Sequence, residues 1–293
     1  MAAALDVIRE GVRRLQAAGV ESARSDVEWL LSRIVAAKPM ELYLQERTLS
    51  EQAAARFFAQ IEARAGGTPL QYLLGETEFF GQRVAVSPGV FIPRPETEIV
   101  VEASLRALRD RAARLLRPLR LLDLGTGSGC IALTLARALP ACVVVGVEVS
   151  WAALRIAKQN IQRHGLEDRV HLVRGWWLDP IRGSFDGILS NPPYVPSAQV
   201  DQLPLDVRQE PRISLDGGDD GMRVLSQLVA QVPRLLAPGG ILALECAEEH
   251  AGELARAVAA RGWASTASPL HDLTERPRGV LVIKRDDAEP LSA

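Results

Sequence analysis

The sequence predicts an α/β protein: a mainly parallel sheet with helices on both faces, a last strand that runs antiparallel, and a small all-helical N-terminal domain. Three observations carry this expectation. From about residue 119, short apolar runs alternate with amphipathic helical stretches, the pattern of βαβ units. Residues 1–67 show helical periodicity and little else. The final apolar run, "VLVIKR", follows "WASTASPL" with no long helix between them, a connection short enough for an antiparallel neighbour.

In the first segment Leu5, Ile8, Val12 and Leu15 recur at helical spacing, as do Val27, Leu30, Leu31 and Ile34. Ser25-Asp26 is expected to cap the second helix, and Pro39 to mark its end. In "LSEQAAARFFAQIEARAGG" Ser50 is the cap, Phe57, Phe58 and Ile61 form the apolar stripe, and Gly66-Gly67 stop the helix. Residues 68–98 change character: aromatics, Gly and Pro surround the alternating run Arg83-Val84-Ala85-Val86. That pattern predicts a hairpin and connecting segment, long enough to pack against a site and line it.

The third segment, 99–288, holds the alternation. "LRLLDLG", "CVVVGVE", "VHLVRG", "FDGILSN" and "GGILALEC" read as strands. "CIALTLARAL", "SWAALRIAKQNIQRHG", "GMRVLSQLVAQVPRLL" and "EHAGELARAVAARG" read as helices. The tail "DDAEPLSA" reads as frayed.

Composition excludes several classes. A hydrophobic share of 47% with 24% charged residues is that of a soluble globular chain. Net charge is −2, with Lys and Arg spread along the chain, so no general footprint for nucleic acid is present. Cys130, Cys142 and Cys246 lie far apart, which argues against a disulfide scaffold. His164, His171, His250 and His271 share no metal-ligand spacing, so no metal is expected and packing or surface roles are. No apolar run approaches the ~20 residues of a membrane span. Asp6 and Glu10 in the first helix argue against a targeting peptide. The expected location is the cytoplasm.

Chemistry enters at "LLDLGTGSGCIAL", which sets Asp123, Gly125, Thr126, Gly127, Ser128 and Gly129 between the first strand and its helix. Glycines there let backbone approach a ligand closely, and the following helix N-terminus favours negative charge. A dinucleotide fingerprint would need Gly where Cys130 stands, which weakens a pyrophosphate reading. Glu148 ends the second strand, where an acid can accept both ribose hydroxyls. Together these predict a nucleoside-binding, Rossmann-like sheet. The competing reading is a tight turn beside a solvated Glu.

"FDGILSNPPYVP" raises a second point: an apolar strand ends in Asn191-Pro192-Pro193-Tyr194. Two prolines fix φ twice in succession and stiffen the turn. Open α/β sheets bind ligands beyond the carboxyl ends of their strands, so Asn191 should face whatever the glycine loop holds. The Asn191 side-chain oxygen and the Pro192 carbonyl can accept both hydrogens of a planar –NH2 group, with Tyr194 as an aromatic wall. The bland alternative is a strand stop followed by a Pro-rich loop.

"DLGTGSG", Glu148 and "NPPY", in this order, resemble class I methyltransferases that use S-adenosylmethionine and modify planar nitrogens. More narrowly, "PLQYLLGETEFFG", "VSPGVFIPRPETE", "SNPPYVP" and "EPRISLDGGDDG" resemble the HemK/PrmC family of release factor glutamine methyltransferases. The resemblance runs from Thr68 to Arg285 and more loosely through the helical part. It implies that 1–67 recognises substrate, 68–98 connects, and 99–288 is the methyltransferase domain. It also implies methylation of N5 of the glutamine in the Gly-Gly-Gln loop of class-1 peptide chain release factors, with S-adenosylhomocysteine as product. A monomer with no direct nucleic-acid partner and no membrane partner is expected.

By position, the resemblance assigns Asp123 and Gly125 to Gly129 to the methionine part of the cofactor, Glu148 to its ribose and Trp177 to its adenine. Asn191, Pro192, Pro193 and Tyr194 would hold the glutamine, with Asn191 near both ligands. Phe91, Arg94 and Glu98 would lie close to the pocket. The chain departs from the family at Trp176, where an Asp is usual, at Glu148, where Asp is commoner, and in "HDLTERPRGV", where a Gly and its register change. Glutamine methylation in a ribosomal protein, adenine methylation in DNA and a non-catalytic binding module remain the alternatives. "PRPETE" favours the release factor branch.

Overall fold

The computed structural model describes residues 2–44 and 47–286. Beyond Asp286, the tail read as frayed lies outside the described residues. The chain divides into two compact units, Met1–Thr77 with Leu203–Gln209, and Glu78–Gln202 with Glu210–Ala293.

The first unit holds β1 (Ala2–Ala3), α1 (Ala4–Ala17), α2 (Ala23–Val35), α3 (Glu41–Leu44), β2 (Thr48–Leu49), α4 (Glu51–Ala65) and α5 (Leu70–Leu74). Ile8, Leu15, Val27, Leu30, Leu31, Phe57 and Ile61 share one buried core. Leu5 does not join it: Ala4, Val7 and Gly11 take the inner face of α1, and Leu5 is 43% exposed. Ser50 caps α4, accepting from Ala53 N at 3.2 Å.

Asp26 is not a cap, because α2 begins at Ala23. It is buried three residues further in, where it accepts from Arg64 Nε at 2.7 Å. Arg64 also donates to Asp206 at 3.3 Å, which ties the 203–209 segment to the helices.

Strand β3 (Glu76–Phe79) spans the boundary, and the second unit holds β4 (Gln82–Ala85), α6 (Pro95–Ala112), β5 (Leu119–Leu124), α7 (Cys130–Ala138), β6 (Cys142–Glu148), α8 (Trp151–Arg163), β7 (Val170–Arg174) and β8 (Phe185–Ser190). It continues with α9 (Ser197–Val200), α10 (Arg223–Gln231), β9 (Leu236–Glu245), α11 (Glu248–Ala260), β10 (Ala264–His271) and β11 (Pro277–Lys284). The seven-stranded sheet has the order β10-β11-β9-β8-β5-β6-β7. β5, β6, β7, β8 and β9 run parallel, and β11 and β10 antiparallel.

Successive strand residues point to opposite faces, and here both faces are cores. Leu122, Leu124, Ile188, Leu242 and Leu244 enter one cluster, while Leu121, Leu189, Ile241 and Ala243 enter the other. This is why β5, β8 and β9 read as near-continuous apolar runs.

Two elements differ from expectation. α6 spans 18 residues and starts with Pro95 at its first turn, followed by Glu96 and Glu98, a favourable N-terminus. The antiparallel part of the sheet has two strands, since "WASTASPL" is itself most of edge strand β10. Only Ala264 in it is buried, so no apolar run announces it, and Pro269 is tolerated at an edge.

The hairpin of β3 and β4 turns at Phe80 and Gly81, both at positive φ. It docks through the buried Asn160, which accepts from Ala85 N at 2.7 Å and donates to Ala85 O at 3.0 Å. Glu98 accepts from Phe80 N at 2.7 Å.

At the entry to β8, the buried Asp186 accepts from Arg111, Arg117 and the backbone of Arg120 at 2.7–3.0 Å. This gathers the end of α6 and the start of β5. Burial raises its pKa, but those hydrogen bonds and the guanidinium charges outweigh it and leave it below the usual 3.8. A lowered folded-state value means that the stabilisation is present above about 3.8 and is lost as pH falls through the folded value. Asp186→Ala should therefore cost on the order of 3 kcal/mol at pH 7, read by urea unfolding. The gap to wild type should close as the pH drops below 3.8.

Candidate active site

A cavity of about 550 Å³ opens at the carboxyl ends of β5, β6 and β8. Its floor is the loop after β5. Gly125, Gly127 and Gly129 all sit at positive φ, at 68°, 57° and 83°, a region other residues enter only with strain. The turn is pinned by Gly125 N and Thr126 N donating to Val147 O at 2.9 and 3.0 Å. A Cβ on Gly125 would lie 3.3 Å from the Trp177 ring, so the glycine also makes room for that ring.

Asp123 supports the loop from below. It is fully buried and accepts from Thr126 Oγ1 at 2.5 Å and from Ala132 N at 3.1 Å. Burial pushes its carboxyl up to about 7 against those two hydrogen bonds. Thr126 lines the cavity, whereas Asp123 does not.

Glu148 reaches the cavity from the end of β6. Gly127 N and Ser150 N donate to its two carboxylate oxygens at 3.0 and 2.9 Å, which fixes its orientation and leaves further lone pairs free. Trp177, at φ 45°, lines the same end with Trp176, their rings 6.2 Å apart at 74°. Backbone donors, one oriented carboxylate and flat apolar walls are the parts a nucleoside with an amino-acid tail needs. The donor set fits S-adenosylmethionine.

Opposite stands the turn after β8. Asn191 and Pro193 line the cavity, while Pro192 is buried beside them. Asn191 Nδ2 donates to Thr97 Oγ1 at 3.0 Å. Thr97 Oγ1 donates to Glu245 Oε2 at 2.5 Å, and Tyr194 OH donates to Glu245 Oε1 at 3.0 Å. Glu245 ends β9 and is buried. Burial pushes it up to about 7, opposed by the hydrogen bonds from Thr97 and Tyr194. Burial also raises the Tyr194 hydroxyl, with the Glu245 charge adding to it.

The turn is held from behind by "LDGGDDG". Val195 N donates to Leu215 O at 2.9 Å, and Gly217 N to Val195 O at 2.8 Å. A Cβ on Gly221 would fall 2.3 Å from Tyr194 O, and one on Gly217 would fall 2.7 Å from Tyr194 Cα. Only glycine lets this loop stack on the turn.

Of the residues singled out from sequence, Gly125, Thr126, Gly127, Ser128, Glu148, Trp177, Asn191, Pro193 and Phe91 line one cavity. Asp123, Gly129, Pro192, Tyr194, Arg94 and Glu98 do not. Tyr194 is anchored to Glu245 and packs on the core of the sheet. Arg94 ion-pairs with the buried Glu210 and lies over the Phe91 ring at 5.0 Å, so it acts behind Phe91. Glu98 serves the hairpin.

Sequence reasoning missed Thr97, Glu210 and Glu245. Glu210 also accepts from Ile92 N at 2.8 Å and so holds the strap that carries Phe91. Glu245 had a usable signal: a lone acid closing an apolar strand, as Glu148 does. Thr97 had a weaker one, the Pro-Glu helix start around it.

Residues 6–75 match the family described as PrmC N-terminal domain, and residues 86–205 match the methyltransferase small domain. The chain is 42% identical over 283 residues to the release factor glutamine methyltransferase of Moorella thermoacetica, covering 95% of this chain and 97% of that one. With the release factor glutamine methyltransferase of Deinococcus radiodurans it shares 37% over 276 residues, 94% of this chain and 96% of the other. A methyltransferase of Pyrococcus furiosus shares the fold, with TM-score 0.51 at 20% identity over 80% of this chain and 100% of that one. Two family matches in chain order, and relatives well above 30% identity along nearly the whole length, mean that this chain belongs to the release factor glutamine methyltransferase family.

Proposed function

We propose that the cavity binds S-adenosylmethionine and that the chain methylates N5 of the glutamine in the Gly-Gly-Gln loop of class-1 release factors. The observation that best supports an amide substrate is the orientation of Asn191. Its Nδ2 is committed to Thr97 Oγ1 at 3.0 Å, so its Oδ1 is the end left for the cavity. A hydrogen-bond acceptor at that point suits a –NH2 group and disfavours a hydroxyl nucleophile that needs a base.

When bound, the cofactor supplies a methyl group activated on a positively charged sulfur. The glycine loop and Glu148 would hold it, with Trp177 against the adenine. Asn191 Oδ1 and the Pro192 carbonyl would accept the two amide hydrogens of the glutamine. An amide nitrogen is a weak nucleophile, because its lone pair is delocalised into the carbonyl. Two fixed acceptors orient that nitrogen and stabilise positive charge developing on it. The surplus proton is lost to solvent once transfer is complete, with no dedicated base. Pro193 and Phe91 exclude water from the site. We assign substrate recognition to the helical unit, which would grip the release factor away from its methylated loop.

Radiolabelled methyl transfer should label a release factor and neither duplex DNA nor ribosomal protein; label in DNA instead would overturn the reading. Asn191→Ala should lower kcat by roughly 10²–10³, with the Kd for S-adenosylhomocysteine changed only a few-fold. Glu148→Ala should do the reverse, weakening that Kd by about tenfold to a hundredfold. A short Gly-Gly-Gln peptide should be methylated with a much higher KM than the intact factor.

A further inference from the structure

Asparagine, threonine and tyrosine can each hydrogen-bond in either sense, so the way Asn191 faces must be decided by something else. A carboxamide's two ends are distinguished by their partners. The partner of Asn191 Nδ2 is Thr97 Oγ1, and Thr97 has one proton to give. It lies 2.5 Å from Glu245 Oε2. An ionised carboxylate is acceptor-only, so Thr97 must donate to it. The hydroxyl oxygen then has only lone pairs to offer Asn191, which must turn its Nδ2 inward and its Oδ1 outward. Tyr194 donates to the other carboxylate oxygen at 3.0 Å, so both oxygens of Glu245 have partners.

We propose that Glu245 is a positioning residue for catalysis, acting through Thr97 to hold the Asn191 carboxamide with its oxygen toward the substrate nitrogen. This rests on the methyl-transfer reading above and adds Glu245, to which that reading gives no role. Glu245 touches neither ligand. It sets the polarity of a chain, Asn191 to Thr97 to Glu245, that would be reversible if it ended in a neutral group. A proton on Glu245 could pass its own hydrogen bond to Thr97, let Thr97 donate to Asn191 Oδ1, and present Nδ2 to the cavity. That arrangement opposes two N–H groups to the substrate's –NH2.

The carboxylate's surroundings are set by several elements. Thr97, Glu96 and Arg94 approach from the start of α6, Tyr194 from the turn after β8, and Cys246 from the chain after β9. Cys130 of α7 also feels its charge. The positive charge of Arg94 opposes the negative charge of Glu96 at this carboxylate, and Arg94 itself pairs with Glu210. The folded value of about 7 places the switch within the range of an ordinary assay.

The test uses the full chain with intact release factor. Glu245→Gln and Thr97→Val should each lower kcat by roughly tenfold to a hundredfold, with the Kd for S-adenosylhomocysteine within twofold of wild type. Thr97→Ser keeps the hydroxyl and should recover most of the turnover. The wild-type rate should fall on the acid side near pH 7, and Glu245→Gln should lose that limb. Thermal unfolding of each variant separates misfolding from misorientation. In 15N spectra the Asn191 side-chain NH2, identified by its loss in Asn191→Asp, should exchange with water slowly in wild type and faster in Thr97→Val. Folded Thr97→Val with wild-type kcat would overturn the inference. If wild type fails to methylate release factor, the functional reading falls. The exchange arm then decides alone: faster exchange in Thr97→Val supports the positioning role, and equal exchange overturns it.

Discussion

A strand buried on both faces has nowhere to put a polar side chain except at its ends, and that constraint organises this molecule. β5, β8 and β9 are apolar toward both cores, so chemistry collects where they stop. In the sheet order β9-β8-β5-β6, the carboxyl ends present Glu245, then Ser190 and Asn191, then Asp123, then Glu148. Four neighbouring strands thus deliver their polar groups to one rim. The cavity is the consequence. Side chains of α6, α10 and the 211–216 loop complete its walls, but the rim decides what it can hold.

Legibility in the sequence follows from how local each feature is. The glycine loop, Glu148 and the Asn-Pro-Pro-Tyr turn were visible because each is a short stretch attached to an apolar run whose period identifies a strand. β10 was not, because an edge strand with one buried residue looks like a polar connection. α6 hid behind its own prolines: Pro93 and Pro95 read as connection, although Pro95 is the helix's first residue. Asp26 followed a Ser in the pattern of a cap, yet its partner is Arg64, 38 positions away. Thr97 and Glu245 meet across 148 positions. No periodicity carries such a pairing; only the packing of α6 over β9 creates it.

The glycines of "LDGGDDG" belong to the same lesson from the other side. In the sequence they carry a family resemblance and no local physical signal. The reason is contact: any side chain at Gly217 or Gly221 would collide with the backbone of Tyr194. A stiff turn made by two prolines supplies rigidity within itself, but its orientation on the sheet comes from what lies against it. Here that is a loop some two dozen residues later, hydrogen-bonded to Val195 on both sides.

The two buried acids share one device. Asp123 accepts a hydrogen bond from Thr126 Oγ1 at 2.5 Å, and Glu245 accepts one from Thr97 Oγ1 at 2.5 Å. Both threonines line the cavity, and neither acid does. Burying a carboxylate is costly, and both are pushed up to about 7 by it. A neutral acceptor such as Gln would be cheaper to bury, yet it could donate as well as accept and would leave the hydroxyl's sense undecided. An acceptor-only group removes that freedom. Each threonine O–H is then directed to its acid. For a reaction whose nucleophile is an already weak amide lone pair, a Thr97 hydroxyl committed to Glu245 matters, because a donor beside Asn191 would hydrogen-bond the lone pair and weaken it further.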